Sequence, residues 1–518
     1  MGQHWSPSRD GGPQQSGWNF MRLAKTVRRP GRPSGSFRAP LVSTAVLIGA
    51  GLAACTTPAR QVDARLPAAY EAPAGKPLPS QTLDQWWTTF DDPVLNDLVA
   101  TALEKAPDAR LAAARLAEAR AVRQGQIRQL YVPQTPLTGS AKRTDTHIID
   151  QSGSGGFTLG GVTKSLALDF DVSWELDLIG RRAAARRVVD NDLAAARFAY
   201  EGARAALAAN VAQSYFEARG YAVQLEDARQ SARIAQALYD VAAEKGRRGL
   251  TATSEAERSA ADLAQTQAQV AQLEAQLQAS RRSLLILVGK GVDPLASLPV
   301  EPVLAKAPPV PAAAPGELLA RRPDVREAAA RLASASGNLN VNELALFPTV
   351  TLAPGVGLSK QISPSFLKPG STTSTTSSAW TLGANLSVPV LNIPKLMSDI
   401  KAQGARVEQA AVTYEQTVQK AFGEAEGALV QLDADERRVA LLSAGERRAA
   451  SAYEASRKGY AAGLTDLTTA LQAEQSWRGA RTALTGAQTQ ALQRAVQTYK
   501  ALGGGWSPTS LPQQPSAQ

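Results

Sequence analysis

The 518-residue chain contains one cysteine, Cys55, and two histidines, His4 and His147. A single cysteine excludes an internal disulfide framework. Two isolated histidines supply neither a His-based metal site nor a His-dependent catalytic triad. No GxxxxGK[ST] run occurs, and Gly355-Val356-Gly357 is only a weak fragment of a nucleotide loop within a strand pattern. The chain therefore reads as a non-enzyme with no metal and no dissociable cofactor. Aromatics make up 5% of residues, and the wealth of Ala, Gln and Arg favours long helices over large compact cores. The formal charge of +10 excludes less than its size suggests, because +6 of it falls in residues 1–54. The remainder is mildly basic and solvated, which argues against nucleic-acid binding.

No apolar run is long enough to span a bilayer comfortably as a helix. The run LVSTAVLIGAGLAAC follows Arg22, Lys25, Arg28, Arg29, Arg32 and Arg38, the pattern of a secretory signal over residues 1–54, with Met21 a plausible true start. It ends Leu52-Ala53-Ala54-Cys55, which resembles the bacterial lipobox. That resemblance implies a covalent diacylglycerol and an acyl chain on Cys55, and Thr56, not being Asp, implies sorting to the outer membrane. The alternative is an ordinary signal peptide with an incidental cysteine. Residues 55–82 then form a lipidated linker.

An internal repeat organises the rest. YDVAAEKGRRGLT from Tyr239 matches YEASRKGYAAGLT from Tyr453 at a shift of 214, and APDARLAAARLAEA from Ala106 matches RPDVREAAARLASA from Arg322 at a shift of 216. The spacing predicts two halves, 83–290 and 291–502, each running helix, strand, loop, strand, long helix, helix. Strands are expected at about 133–145, 165–179, 348–362 and 379–391. Helices are expected at about 181–246, 251–288, 395–461 and 464–502, followed by a flexible tail over 503–518. The longest helices would reach about 100 Å at 1.5 Å per residue. Their Ala-dominated stripes allow close, coiled-coil-like packing.

In SLALDFDVSWELDLIG (165–180) every even position from Leu166 to Leu178 is apolar, while Asp169, Asp171, Glu175 and Asp177 lie at odd positions. Period two gives a strand with one greasy and one acidic face. Four amphipathic strands cannot close a sheet, so edges left open must pair with other copies. Twelve strands from three copies is the smallest comfortable closure around an open lumen. Acids pointing into hydrocarbon would be costly, so they are expected to face the lumen. Trp174 and Trp380 suit the two interfacial girdles. Arg181, Arg182, Arg186 and Arg187 follow the strand, facing either lipid phosphates or lumen.

Four ordered runs, WWTTFDDPVLNDLVATAL from Trp86, SWELDLIGRR from Ser173, LLARRPDVREAAARL from Leu318 and LFPTVTL from Leu346, resemble the signatures of the TolC-like outer-membrane efflux proteins. The similarity is greatest to the NodT-type lipoprotein branch and covers nearly all of residues 83–502. The resemblance implies a mainly α fold with a membrane β-barrel portion. In it, a duplicated long-helix α-barrel carries four strands per chain into a trimeric twelve-stranded outer-membrane barrel. An equatorial domain would come from about 83–105, 291–325 and the C-terminal tail.

The implied activity is passive export of small toxic compounds through a homotrimeric duct. A periplasmic adaptor and an inner-membrane RND-type transporter are the implied partners, along with outer-membrane lipid. The turns Gly249-Leu250-Thr251 and Gly463-Leu464-Thr465 become adaptor-docking tips. Tyr460, Glu255 and Asp466 become periplasmic gate candidates, with Thr469 and Gln472 standing where some members carry aspartates. The turn glycines can equally be purely conformational, and Glu255 and Asp466 can equally be solvated helix-terminal acids. A protein-secretion duct, a periplasmic adaptor lipoprotein, a lipoprotein enzyme and a cytosolic coiled coil are the rival readings. Duplication with paired strands disfavours the adaptor, and the lipobox disfavours the coiled coil.

Overall fold

The computed structural model describes residues 66–71, 83–147, 161–308, 315–365 and 370–507, with the backbone alone of 76–77 and 311–312. The chain divides into units 1–60 and 61–518, and every described residue belongs to the second. The signal segment, Cys55 and the Gly/Ser-rich stretch 151–160 lie outside the described residues. None of the described helices is long and apolar enough to cross a membrane.

Eight α-helices are described: α1 (Pro93–Lys105), α2 (Pro107–Tyr131), α3 (Arg181–Arg247), α4 (Thr253–Leu287), α5 (Glu317–Arg321), α6 (Pro323–Leu344), α7 (Ile393–Ala461) and α8 (Leu467–Ala501). The strands of the main sheet are β1 (Leu137–Thr146), β2 (Gly161–Asp171), β3 (Trp174–Leu176), β4 (Thr349–Pro364) and β5 (Thr372–Ser387), and 76–77 pairs with 311–312 in a separate two-residue ladder. The 67 residues of α3 and 69 of α7 make rods of about 100 Å. Along its length α3 packs against α2, α4, α6 and α8, while α7 packs against α6 and α8.

The ends of α3, α4, α7 and α8 repeat one device. Gly249, Gly289, Gly463 and Gly503 all have φ between +68° and +79°. After each, the next N–H donates to a carbonyl five residues back: Leu250 to Lys245 (2.9 Å), Lys290 to Leu285 (2.8 Å), Leu464 to Gly459 (2.8 Å) and Gly504 to Tyr499 (2.9 Å). This is the Schellman stop, which needs a left-handed residue and so favours glycine. Two of the stops are also packed closely. A Cβ on Gly289 would lie 2.9 Å from the Lys105 carbonyl oxygen, and one on Gly503 would lie 2.9 Å from the Arg321 carbonyl carbon. The end of α4 therefore abuts the junction of α1 and α2, and the end of α8 abuts the junction of α5 and α6.

The main core girdles the middle of α3. Trp86, Leu95, Val99, Phe216, Leu284, Leu492 and Tyr499 are buried together, and the Trp86 and Tyr499 rings stack at 5.8 Å. The DDPVL run is built into this core. Asp92 Oδ1 accepts from the N–H groups of Val94 (3.0 Å) and Leu95 (3.2 Å), capping α1. Its Oδ2 accepts from the Tyr215 hydroxyl at 2.9 Å and from Arg219. Burial of both charges is offset by this pairing. The RRPDV run does equivalent work in the second half: buried Arg322 pairs with Asp324 and Glu424, each at 2.7 Å, and donates to the Ala501 carbonyl at 3.2 Å.

The segment after α8 is not loose where it is described. Trp506 is buried beside Phe198, its Nε1 donates to the Arg321 carbonyl at 2.8 Å, and the Gly505 N–H donates to the Leu83 carbonyl at 2.9 Å. The flexible tail expected from residue 503 is thus docked as far as Ser507, because an indole with its N–H partnered gains from burial. Residues 508–518 lie outside the described residues.

The sheet runs β1-β2-β4-β5, all antiparallel, with β3 prolonging β2 along β4 in unbroken register. β1 and β5 are its two edges. Several bounds differ from the sequence reading: β1 begins at Leu137 instead of about 133, and the second strand, expected over about 165–179, is β2 and β3 and ends at Leu176. β2 begins at Gly161, and β5 runs from Thr372 to Ser387 instead of about 379–391. The run TTSTTSSA lacks apolar alternation, yet its β-branched threonines pair along the full outer half of β4.

Candidate functional site

The sheet has two chemically distinct faces, fixed by register. One carries Leu137 of β1, Leu166, Leu168 and Phe170 of β2, Trp174 of β3, Leu352, Val356 and Leu358 of β4, and Trp380, Leu382 and Leu386 of β5. Most of these are exposed, Trp380 to 79% and Leu382 to 74%. Contiguous exposed apolar surface of this extent marks an interaction with lipid or another chain. Trp174 lies near the helical end of the sheet. Trp380, expected at the opposite boundary, instead sits mid-strand opposite Val356, because β5 starts eight residues before it. It is the last apolar side chain on its strand before a run of hydroxyls.

The other face is built from Thr, Ser, Gly and acids. Ser359 and Ser377 share a hydrogen bond at 2.8 Å. Asp169 and Asp171 lie on this face, directly over glycines. A Cβ on Gly357 would come within 2.5 Å of Asp169 Oδ1, and one on Gly355 within 2.7 Å of Asp171 Oδ1. Gly355 and Gly357 thus make room for the two carboxylates.

Glu175 and Asp177 are engaged by the start of α3. Glu175 lies 3.5 Å from Arg181, and its carbonyl accepts from Arg182. Asp177 Oδ2 accepts from the Arg182 N–H at 3.2 Å, which satisfies an orphan donor of the first helical turn. Arg186 lies 3.5 Å from Asp190, which also pairs with Arg123 at 2.6 Å. Arg187 is exposed.

At the far end of the long helices the two turns project outward. Leu250 is 69% and Leu464 82% exposed, so neither makes the apolar contact that often closes a Schellman stop. Just inside them, Tyr460 is buried with Leu238, Ala242, Leu467, Ala470 and Leu471. Lys245 Nζ sits 4.2 Å from its ring centroid, and its hydroxyl finds no hydrogen-bond partner. Burial, helped by the Glu255 carboxylate, pushes the Tyr460 phenol above its usual range. Arg258 donates to Thr468 at 3.2 Å, linking α4 to α8 beside the turns.

Tyr460 and Glu255 are thus neighbours, whereas Asp466 has a different occupation. Its Oδ1 accepts from the Thr469 N–H at 2.8 Å, capping α8. That bond holds its carboxyl below the ordinary value. Thr465 Oγ1 donates to the Ser456 carbonyl at 3.4 Å, and Thr251 Oγ1 is buried without a partner.

Further along the lower helices lies a cluster absent from the sequence reading. Glu474 of α8 is 0% exposed, and neither of its carboxylate oxygens receives a hydrogen bond. Arg478 Nη2 stands 3.0 Å from Glu474 Oε2 and 2.9 Å from Asp262 Oδ1 of α4. One guanidinium therefore serves two buried acids. Burial, opposed by Arg478 and reinforced by Asp262, pushes the Glu474 carboxyl up to about 7. Beside it Tyr453 stacks on Trp477 at 5.2 Å, and Trp477 Nε1 donates to Glu446 at 2.9 Å. Asp227 of α3 pairs with Arg481 at 2.7 Å. Among the described residues no His/Cys/Asp/Glu group is arranged to hold a metal ion.

The family model for outer membrane efflux proteins matches residues 98–290 and 314–504. The chain is 28% identical over 477 residues to the pyoverdine export outer membrane protein OpmQ of Pseudomonas aeruginosa, covering 90% of this chain and 96% of that one. It is 27% identical over 434 residues to the cation efflux system protein CusC of Escherichia coli, covering 81% and 88%. Among solved structures, the outer-membrane channel OprN superposes with a TM-score of 0.71 at 27% identity, over 86% of this chain and 96% of that one. CusC superposes with a TM-score of 0.72 at 22% identity, over 85% and 97%; at that identity the likeness shows the fold.

Proposed function

Since the chain belongs to the outer membrane efflux protein family, we propose that three copies close their sheets into one twelve-stranded barrel and form the exit duct of a tripartite pump for small toxic compounds. The observation that carries this reading is the four-stranded sheet with two unpaired edges and an exposed apolar face. In a bilayer such edges must be paired. Three sheets joined β1 to β5 pair all of them, turn the apolar face to lipid and enclose the Thr/Ser/Gly face with Asp169 and Asp171. Glu175 and Asp177 then stand at the barrel floor, where they hold the entry to α3.

The projecting tips, Gly249-Leu250-Thr251 and Gly463-Leu464-Thr465, are the docking points for a periplasmic adaptor coupled to an inner-membrane RND-type transporter. Tyr460 and Glu255 restrict the helical end of the duct, and Asp466 supports that end as a cap. Cys55 carries the diacylglycerol and acyl chain that add a lipid anchor to the barrel. The assembly is tested by native mass spectrometry of the protein purified in mild detergent. Three chains per particle are expected; a particle of one or two chains would overturn the shared barrel.

A further inference from the structure

The apolar face of the sheet ends in a group of cations. Arg143 of β1 and Lys164 of β2 are directly opposed in the register. Lys360 of β4 is opposed to Leu166, one step diagonally from Lys164. Because Leu166 and Phe170 lie on the apolar face, alternation puts Arg143, Lys164 and Lys360 on that same face and Lys142 on the other. Like charges opposed across a strand pair destabilise it unless an anion lies between them.

No described carboxylate supplies that anion: among the described residues none of the three has an ion-pair partner. The nearest acid on that face, Asp145, is opposed to Val162, and His147 lies 3.6 Å from its carboxylate. Thr376, opposed to Lys360, and Ser374, opposed to Ile362, extend the cluster with hydroxyl donors on β5.

Height decides what the cluster meets. From the Val350–Leu386 pair at the helical end to the Lys164–Ile362 pair is twelve residues of β4. At roughly 3.3 Å per residue and a tilt near 45°, that is about 28 Å along the membrane normal. Lys360, two residues nearer, stands at about 23 Å. The apolar band of such barrels is about 25 Å tall. Arg143 and Lys164 therefore stand at the outer headgroup level and Lys360 just inside the edge of the band, where its long stem carries the ammonium up to the headgroups; all three face lipid and not the lumen.

We propose that Arg143, Lys164 and Lys360 form a binding site for the phosphate groups of an anionic, phosphorylated lipid in the outer leaflet, one site per sheet. The site rests on the barrel reading, which sets the face and the height. Arg supplies planar, bidentate phosphate contacts, and the two lysines add point charges.

The test uses the full chain in mild detergent, titrated with bisphosphorylated lipid A, with the same lipid dephosphorylated, and with inorganic phosphate. Bound lipid and particle mass are read together by native mass spectrometry. The wild-type trimer is expected to bind the phosphorylated lipid at least tenfold more tightly than the dephosphorylated one. R143Q/K164Q/K360Q should erase that preference while remaining trimeric, and K142Q, on the lumen face, should retain it. Equal binding of the two lipids to the wild-type trimer, or loss of the preference in K142Q, would overturn the site. Full competition by inorganic phosphate at equimolar concentration would overturn a lipid as its occupant. A monomeric particle would instead overturn the barrel, and this site with it.

Discussion

Glu474 occupies a position that an apolar side chain would ordinarily take. Leu467, Leu471, Glu474 and Arg478 follow one another at the three- and four-residue spacing of a buried helical stripe. Burial pushes the folded carboxyl up to about 7, against an ordinary 4.5. Between those values the folded chain retains a proton that the unfolded chain has released. Stability therefore falls as pH rises from about 4.5 to about 7 and levels off above. Glu474→Gln is expected to flatten that slope and to raise the thermal midpoint at pH 8 more than at pH 5, read by scanning calorimetry at both values. Arg478 keeps Asp262 as its partner in this variant, so the buried cation is not stranded. If the pH dependence were identical in the variant and the parent, Glu474 would not be its source.

At the scale of elements, the turns at Gly249 and Gly463 owe their shape to the backbone and their exposure to the leucines. Changing the leucines alone leaves the glycine stops intact, which separates docking from folding. Leu250→Glu together with Leu464→Glu is expected to preserve helicity and outer-membrane level while reducing co-purification of the adaptor at least tenfold. Retained co-purification would remove the tips from the docking surface.

Much of this element order was legible in the sequence, because strict alternation over Leu166–Leu178 and the repeated Gly-Leu-Thr turns are strong local signals. The outer half of β5 was not, since TTSTTSSA has no greasy face and gains its strand from pairing with β4. The cap at Asp466 was hidden for a different reason. An Asp before a helix suits either a capping or a lumen role, and only the 2.8 Å bond to Thr469 separates them. Glu474 carried a signal in its stripe position, but helix period alone does not say which face of a tube's wall is packed.

For the whole molecule, the duplication joins two halves alike in backbone and unlike in reinforcement. Asp466 caps α8, whereas its counterpart at the shift of 214 is Ala252, which offers α4 no side-chain cap. A missing cap is worth about 1 kcal/mol, roughly a fivefold difference in local opening. First-turn amides of α4 are accordingly expected to exchange with deuterium about fivefold faster than those of α8, and Asp466→Ala should bring the two together. Equal rates in the parent protein would deny the cap any part in holding the end of the duct. In a trimer, loose and stiff corners would alternate around the rim. An adaptor that engages all six tips would then meet two kinds of socket, and yielding at the entrance would begin at three of them.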